Sequence, residues 1–495
     1  MKQKAPKKWP GILITVLFAV ALALFMGILS GTMLIPGKYL LVLGGILLLP
    51  VLCVFFLCWD TRRLGRMIVA LLLMLLVLAL LLVGTLYLVR AVDTLDDITQ
   101  VEVESADVGI YVRAEDGAQS ITSVKGYQFG ILSTLDRENT DAAIVEIQKE
   151  LGENLTVQEY EGLAELIDGI LTTRQTDAII INSAYLDLLE EMEGYENAYS
   201  QLREVHVQKV ETAIIPDETL PLDYAPEEQD LLAVPIVPES NAFTMYISGI
   251  DSRSGLIKKS RSDVNILAVV NPDTHQILLV STPRDFYVPL PNSKGAPDKL
   301  THAGIYGIKT SIGALEMLYD TEIDYYFRVN FSGFEKIIDA LGGITVYSEH
   351  SFSSGGFSYK EGENKMNGEK ALNFARDRYS FASGDRQRGK NQMEVIKGVI
   401  KKALSPALLK NYTKIMDSVS GSFETSMPYD VLAELVRDQL DKGGEWEITS
   451  YSVNGTGATK KPYSLSTKAY VMVPDQDTVD TAKEMIQNVI DGEAP

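Results

Sequence analysis

The chain has 495 residues, 46% of them hydrophobic and 22% charged, with 45 Lys and Arg against 66 Asp and Glu. That length asks for two or three domains. Residues 1–90 hold nine basic side chains and a single acid, so the remainder carries a net −29; a body that acidic repels nucleic acid and excludes it as a partner.

Three apolar stretches come first, at 11–35, 39–59 and 67–89, each with 21 or more uncharged residues. About 20 suffice to cross a hydrocarbon core. Three such runs joined by short links are not a cleavable signal peptide. Lys2, Lys4, Lys7 and Lys8 precede the first run, and the basic link "DTRRLGR" follows the second. The first link offers only Lys38, and the segment after the third run turns acidic in "DTLDD". The positive-inside bias therefore predicts a cytoplasmic amino terminus, a multi-pass membrane domain over 1–95, and an extracellular remainder. Both cysteines, Cys53 and Cys58, sit in the second run, so residues 91–495 contain no disulfide and no Cys-ligated metal.

Residues 96–238 alternate strand and helix patterns. "ADVGIYVRA" reads as a strand, "TDAAIVEIQKEL" and "VQEYEGLAELIDGILTT" as helices, and "TDAIIINSAYLDLLEEM" as strand then helix. This is a small α/β accessory domain without a nucleophile constellation or a glycine-rich phosphate loop, which points to a structural or partner-binding role. A stretch rich in Pro and acids, "IPDETLPLDYAPEEQDLLAVPIVPES", leads out of it.

Residues 239–495 form a larger α/β domain, a central mixed sheet flanked by helices. Strands are predicted at 243–250, 264–270, 276–282, 325–330 and 344–347, and helices at 308–319, 332–341, 368–375 and 388–404. The runs 264–270 and 276–282 flank "NPDTH" and read as a hairpin. In a simple antiparallel register, to within one or two positions, Asp263 faces Pro283 and Arg261 faces Asp285, so "RSD" and "PRD" converge at one sheet end. The strand "FTMYISGI" runs into Asp251, which joins the same edge if that strand lies alongside. A second basic cluster follows in "NFARDRYSFASGDRQRGKNQ". Arg388 and Gln392, four apart on a helix, share a face. Arginine forks bind phosphate oxygens, and carboxylates at a strand edge suit Mg²⁺ or Mn²⁺. Taken singly, each Arg–Asp pair also reads as an ordinary salt bridge. An apolar cavity for a lipid tail is expected between the sheet and the helices at 308–319 and 388–404, though the same residues also suit an ordinary core.

The series "GIDSR", "SRSDV", "STPRDFYV", "KLTHA", "NFSGFEKIIDALGGITV" and "ALNFARDRYSFASGDRQRGKNQ" resembles the LytR-CpsA-Psr (LCP) family of Gram-positive envelope proteins. The three spans and the acidic accessory domain further resemble its capsule-associated CpsA type. The resemblance implies an extracellular phosphotransferase that moves a glycopolymer, here capsular polysaccharide, from a polyprenyl-diphosphate carrier to peptidoglycan with Mg²⁺. It implies Asp251 and Asp263 as metal ligands. Arg261, Arg284, Lys299, Arg376, Arg378, Arg388 and Gln392 would hold the diphosphate. Arg261, Asp263, Arg284 and Asp285 would form the catalytic group, with Asp285 the candidate base and Asp385 in support. Many relatives end the late motif in Arg-Gln; Asn391 replaces that arginine here and receives no phosphate role, and His302 receives no catalytic one. Capsule-synthesis membrane proteins are further expected partners. The competing reading is a non-catalytic membrane scaffold or regulator of capsule assembly.

Overall fold

The structure, a computed structural model, describes residues 9–32, 35–59, 64–99, 103–213, 241–250, 259–381, 384–405 and 423–495. Three helices open the chain: Trp9–Gly31, Gly37–Cys58 and Leu64–Thr99. All three are long and apolar enough to cross a membrane. Leu41, Leu72 and Leu82 are among the large apolar side chains left exposed on them, as hydrocarbon contact requires. With residues 427–445 these helices make one of two compact units. Within that unit the helix Tyr429–Lys442 meets the link between the first two spans. Tyr429 Oη donates to Thr32 O at 2.9 Å, Tyr39 Oη donates to Leu440 O at 3.1 Å, and Lys38 Nζ lies 2.8 Å from the Asp441 carboxylate.

Among the described residues the second unit holds two large sheets and four two-stranded ones. The first has five strands in the order Thr156–Tyr160, Gln128–Leu132, Ala178–Asn182, Val103–Arg113 and Leu202–Ala213. Residues 157–160 were expected within a helix and belong instead to the edge strand Thr156–Tyr160, parallel to Gln128–Leu132. The β-branched Thr156 and Val157 with Tyr160 suit a pleated edge, and the helix begins only at Leu163. The helix expected after Ala178–Asn182 is broken into two short turns, Ser183–Leu186 and Asp187–Glu191. Asn182 caps the first by accepting from Ala184 N at 3.1 Å. Leu186, Leu188, Leu189 and Met192 are all fully buried, which pins these turns in place.

The second sheet has six strands: Phe423–Thr425, Tyr325–Asn330, Phe243–Ile250, Ser262–Asn271, Gln276–Ser281 and Glu447–Ser452. It is mixed, parallel where Phe243–Ile250 meets Tyr325–Asn330 and antiparallel across the hairpin. Strand side chains alternate between faces with period two. Tyr246, Leu267, Val269, Leu278 and Val280 point to one face and pack with Leu315 of Ile308–Tyr319 and Ile486 of Gln476–Ile490. Ile266, Ala268, Ile277 and Leu279 point to the other and pack with Met393 of Asp385–Ala403. The helices at 308–319 and 388–404 therefore cover opposite faces and do not wall a common cavity. The first face carries the larger buried core. The second, around the buried Met393, is flanked by partly buried apolar side chains that include Met245, Ile247, Val264, Ile396 and Ile400.

The two sheets are joined by apolar and ionic contacts. Ile305, Leu465 and Ala469 share a buried cluster with Leu163, Leu166, Tyr185 and Leu188. Arg328, 2% exposed, is held between Glu104 and Glu424. The main chain contributes as well, with Lys259 N donating to Ser105 O at 2.8 Å.

Candidate active site

The hairpin closes one residue tighter than the sequence register, because Asn271 pairs with Gln276 and His275 takes a left-handed φ of 56° in the turn. Ile266 then pairs with Ser281 and Thr282 N donates to Asn265 O. Continued by two residues, this register sets Asp263 opposite Arg284 instead of Pro283. Arg284 Nη1 donates to Asp263 Oδ1 at 3.0 Å, and Thr301 Oγ1 donates to the same oxygen at 3.3 Å. On the far side of Ser262–Asn271, Ile250 pairs with Ser262. Asp251 itself lies outside the described residues.

A solvent-open cleft of about 370 Å³ is lined by Asp263, Arg284, Arg388 and Gln392, together with Arg386. Burial alone would raise the Asp263 carboxyl, but Arg284 above all, then Arg388 and Arg261, hold it below the usual carboxylate range. Three of the expected residues thus act on one partly buried, ionised carboxylate.

Gln392 Nε2 donates to Ala375 O and Asn391 Nδ2 to Phe374 O, each at 3.3 Å. These amides fasten the end of Gly368–Arg376, where Arg376 sits over the Phe331 ring at 4.2 Å. Phe331 follows Asn330, the partner of Ile250, so Arg376 belongs to the same sheet end. Arg378 lies over Tyr379 at 4.9 Å and donates to its hydroxyl at 2.7 Å. Asp385 opens the helix Asp385–Ala403; its side chain is outside the described residues.

Arg261 does not meet Asp285, as the register reading expected. Its Nη1 lies 3.0 Å from Glu191 Oε1, at the end of the turn Asp187–Glu191 in the 96–238 region. Lys299 Nζ lies 2.5 Å from Glu191 Oε2 and 3.4 Å from Asp285 Oδ1, and Asp285 Oδ2 lies 3.8 Å from Arg284 Nε. Arg261, Glu191, Lys299, Asp285, Arg284 and Asp263 therefore form one continuous chain of alternating charge. Behind it sits His302, fully buried. Its Nδ1 is 2.8 Å from both Asp298 Oδ1 and Ser464 Oγ, and its Nε2 is 3.6 Å from Glu191 Oε2. Burial would lower the imidazole, but Asp298 and then Glu191 push it up to about 8. Glu191, which burial would raise, is held well below the usual carboxylate range by His302 and Lys299.

Sequence reasoning did not single out Glu191, Asp298 or Ser464, and it considered His302 without giving it a catalytic role. Glu191 showed only as an acid ending the apolar run "YLDLLEEM", a pattern that also fits an exposed helix end.

Guanidinium groups and an ammonium gathered around partly buried carboxylates, at one end of a mixed sheet, suit an oxyanion ligand. The fold is that of a mixed α/β domain with a cationic cleft at one end of its central sheet. The profile of the LytR_cpsA_psr family matches residues 206–487, and the chain belongs to that family. It is 31% identical over 245 residues to the Polyisoprenyl-teichoic acid–peptidoglycan teichoic acid transferase TagU of Enterococcus faecalis, covering 49% of this chain and 78% of that protein. To the Bacillus subtilis protein of the same name it is 32% identical over 222 residues, covering 45% and 71%. The crystal structure of B. subtilis TagU aligns at 27% identity with a TM-score of 0.40, over 50% of this chain and 96% of that one.

Proposed function

We propose that the chain is a membrane-anchored phosphotransferase that moves a glycopolymer, with its linking phosphate, from a polyprenyl-diphosphate carrier to peptidoglycan outside the cell. The observation that carries this reading is the cleft in which Arg284 and Arg388 line the same wall as the partly buried Asp263 carboxylate, with Arg284 paired to it at 3.0 Å. Phosphoryl transfer needs charge neutralisation and in-line positioning more than covalent chemistry. Arg284 and Arg388 hold the diphosphate oxygens in the cleft, with Arg261, Lys299, Arg376, Arg378 and Gln392 around them. The acceptor hydroxyl attacks the phosphorus next to the glycan, the bond from that phosphorus to the bridging oxygen breaks, and lipid monophosphate departs. Asp285 takes the hydroxyl proton.

An ionised, partly buried Asp263 fits a hard divalent cation, and Asp251 is its proposed second ligand. Among the described residues no group of three or more ligating side chains is present, so substrate oxygens and water would complete the shell, as Mg²⁺ tolerates. Mg²⁺, or Mn²⁺ in its place, would supply neutralisation of the diphosphate charge. The partly buried apolar face formed by Met245, Ile247, Val264, Ile396 and Ile400 supports a seat for the lipid tail.

The contacts of Tyr429–Lys442 with Thr32 and Lys38 support the extracellular placement. With three crossings, that link lies on the same membrane side as the end of the third span, and the positive-inside bias makes this the outer side. The polymer proposed is capsular polysaccharide, on the three-span anchor and the additional α/β region, with capsule-synthesis membrane proteins as neighbours. The relatives act, by name, on teichoic acid, so the assay offers both polymers.

The test reconstitutes the full chain in vesicles with a lipid-diphosphate glycan, Mg²⁺ and peptidoglycan. Arg261→Ala and Arg284→Ala should keep their fold and insertion and lose wall attachment of the polymer, by about 10²–10³ in rate for a lost oxyanion donor. Normal attachment by both variants would favour the scaffold reading.

A further inference from the structure

Glu191 belongs to the 96–238 region, yet its carboxylate lies within the cationic cluster of the central sheet. One oxygen takes Arg261 at 3.0 Å; the other takes Lys299 at 2.5 Å and faces His302 at 3.6 Å. The side chain is 17% exposed. Its mount is stiff, because Leu188, Leu189 and Met192 on either side are fully buried. A carboxylate between two cations competes with an approaching phosphate for the same N–H groups. One that cannot swing away aims those groups and weakens their hold on a ground-state ligand. Binding that is equal in ground and transition states does not raise turnover, so such restraint favours kcat.

We propose that Glu191 is a positioning residue of the transferase site, a fixed counter-charge from the amino-terminal α/β region that aims Arg261 and Lys299 and limits how tightly they hold a diphosphate before reaction. The turnover half of this inference rests on the function proposed above; the binding half does not.

The experiment uses the full chain in nanodiscs, as wild type, Glu191→Gln and Glu191→Asp. Inorganic pyrophosphate with Mg²⁺ is titrated by calorimetry, and turnover is followed on a lipid-diphosphate glycan. Glu191→Gln should bind pyrophosphate about tenfold more tightly, the effect of one charge interaction of moderate strength. Its kcat should fall by a similar factor with KM unchanged or lower. Glu191→Asp, which restores the charge, should recover most of both values. Pyrophosphate affinity equal to or weaker than wild type in a folded Glu191→Gln overturns the inference. Where that variant fails to reach a native melting transition, Glu191→Met takes its place, and failure of both to fold makes the residue a structural strut and also overturns it. If wild type transfers nothing, the proposed function falls while the pyrophosphate titration still decides the role of Glu191.

Discussion

Arg328 offers the sharpest test of how the two sheets are held together. Its Nη1 lies 2.6 Å from Glu104 Oε1, and its Nε donates to Glu424 Oε1 at 2.5 Å. Glu104 also accepts from Ile308 N at 3.1 Å. Arg328→Met keeps much of the volume and leaves two carboxylates buried side by side. Breaking one buried pair costs about 3–5 kcal/mol, and here two carboxylates lose the same cation, so the upper end applies. At about 2 °C per kcal/mol for a large domain, the melting temperature should drop by about 10 °C. Burial already raises Glu424 above its ordinary value. Without the guanidinium Glu424 rises further above its unfolded value, so the folded state takes up a proton and the deficit shrinks as pH falls. The triple variant Glu104→Gln, Arg328→Met, Glu424→Gln should recover most of the loss, because the cost lies in the orphaned charges. Fluorimetric melts of the detergent-solubilised chain across pH 5–8 read all of this. If Arg328→Met melts with wild type at every pH, the triad contributes nothing and the reasoning is refuted.

Three further outcomes are expected. Asp263→Asn should remove the Mg²⁺ dependence of lipid-monophosphate release, read by titrating the metal; an unchanged dependence would place the ion elsewhere. His302, pushed up to about 8 from an unfolded value near 6.5, gives stability that is complete below about pH 6.5 and lost as pH rises through 8. Asp298, Glu191, Lys299 and Ser464 face it, and His302→Gln should flatten that slope in melts between pH 6 and 9. A fragment of residues 241–495 should aggregate, since it uncovers Ile305, Leu465 and Ala469 and strips Glu104 from Arg328. A fragment beginning at 101 should remain monodisperse by size-exclusion chromatography.

Four strands of the central sheet were legible because they carry mostly apolar runs of strand length, whereas its edge strands Phe423–Thr425 and Glu447–Ser452 were not read. Phe243–Ile250 and Tyr325–Asn330 match the reading residue for residue, as does the helix Ile308–Tyr319. The hairpin slipped by one position because nothing local reveals that His275 turns left-handed, and that slip decides whether Asp263 meets a proline or Arg284. Leu202–Ala213 was missed because "REVHVQKVE" is too polar for an apolar-run criterion; its pairing with Val103–Arg113 supplies what its composition lacks. Glu191 was out of reach for a different reason. Its partners stand 70 and 108 positions away, and no pattern within one segment encodes an ion pair between two sheets.

Asn391 and Gln392 lend their amides to the last-turn carbonyls of Phe374 and Ala375, groups that a helix cannot satisfy by itself. The helix that bears Arg388 is thereby hooked to the one that ends in Arg376. The spacing between these two cations is then set by the polypeptide before any ligand arrives, like the jaws of a locked caliper. Incoming lipids would be sorted by the distance between their negative groups, and a carrier with one phosphate would span the jaws less well than a carrier with two.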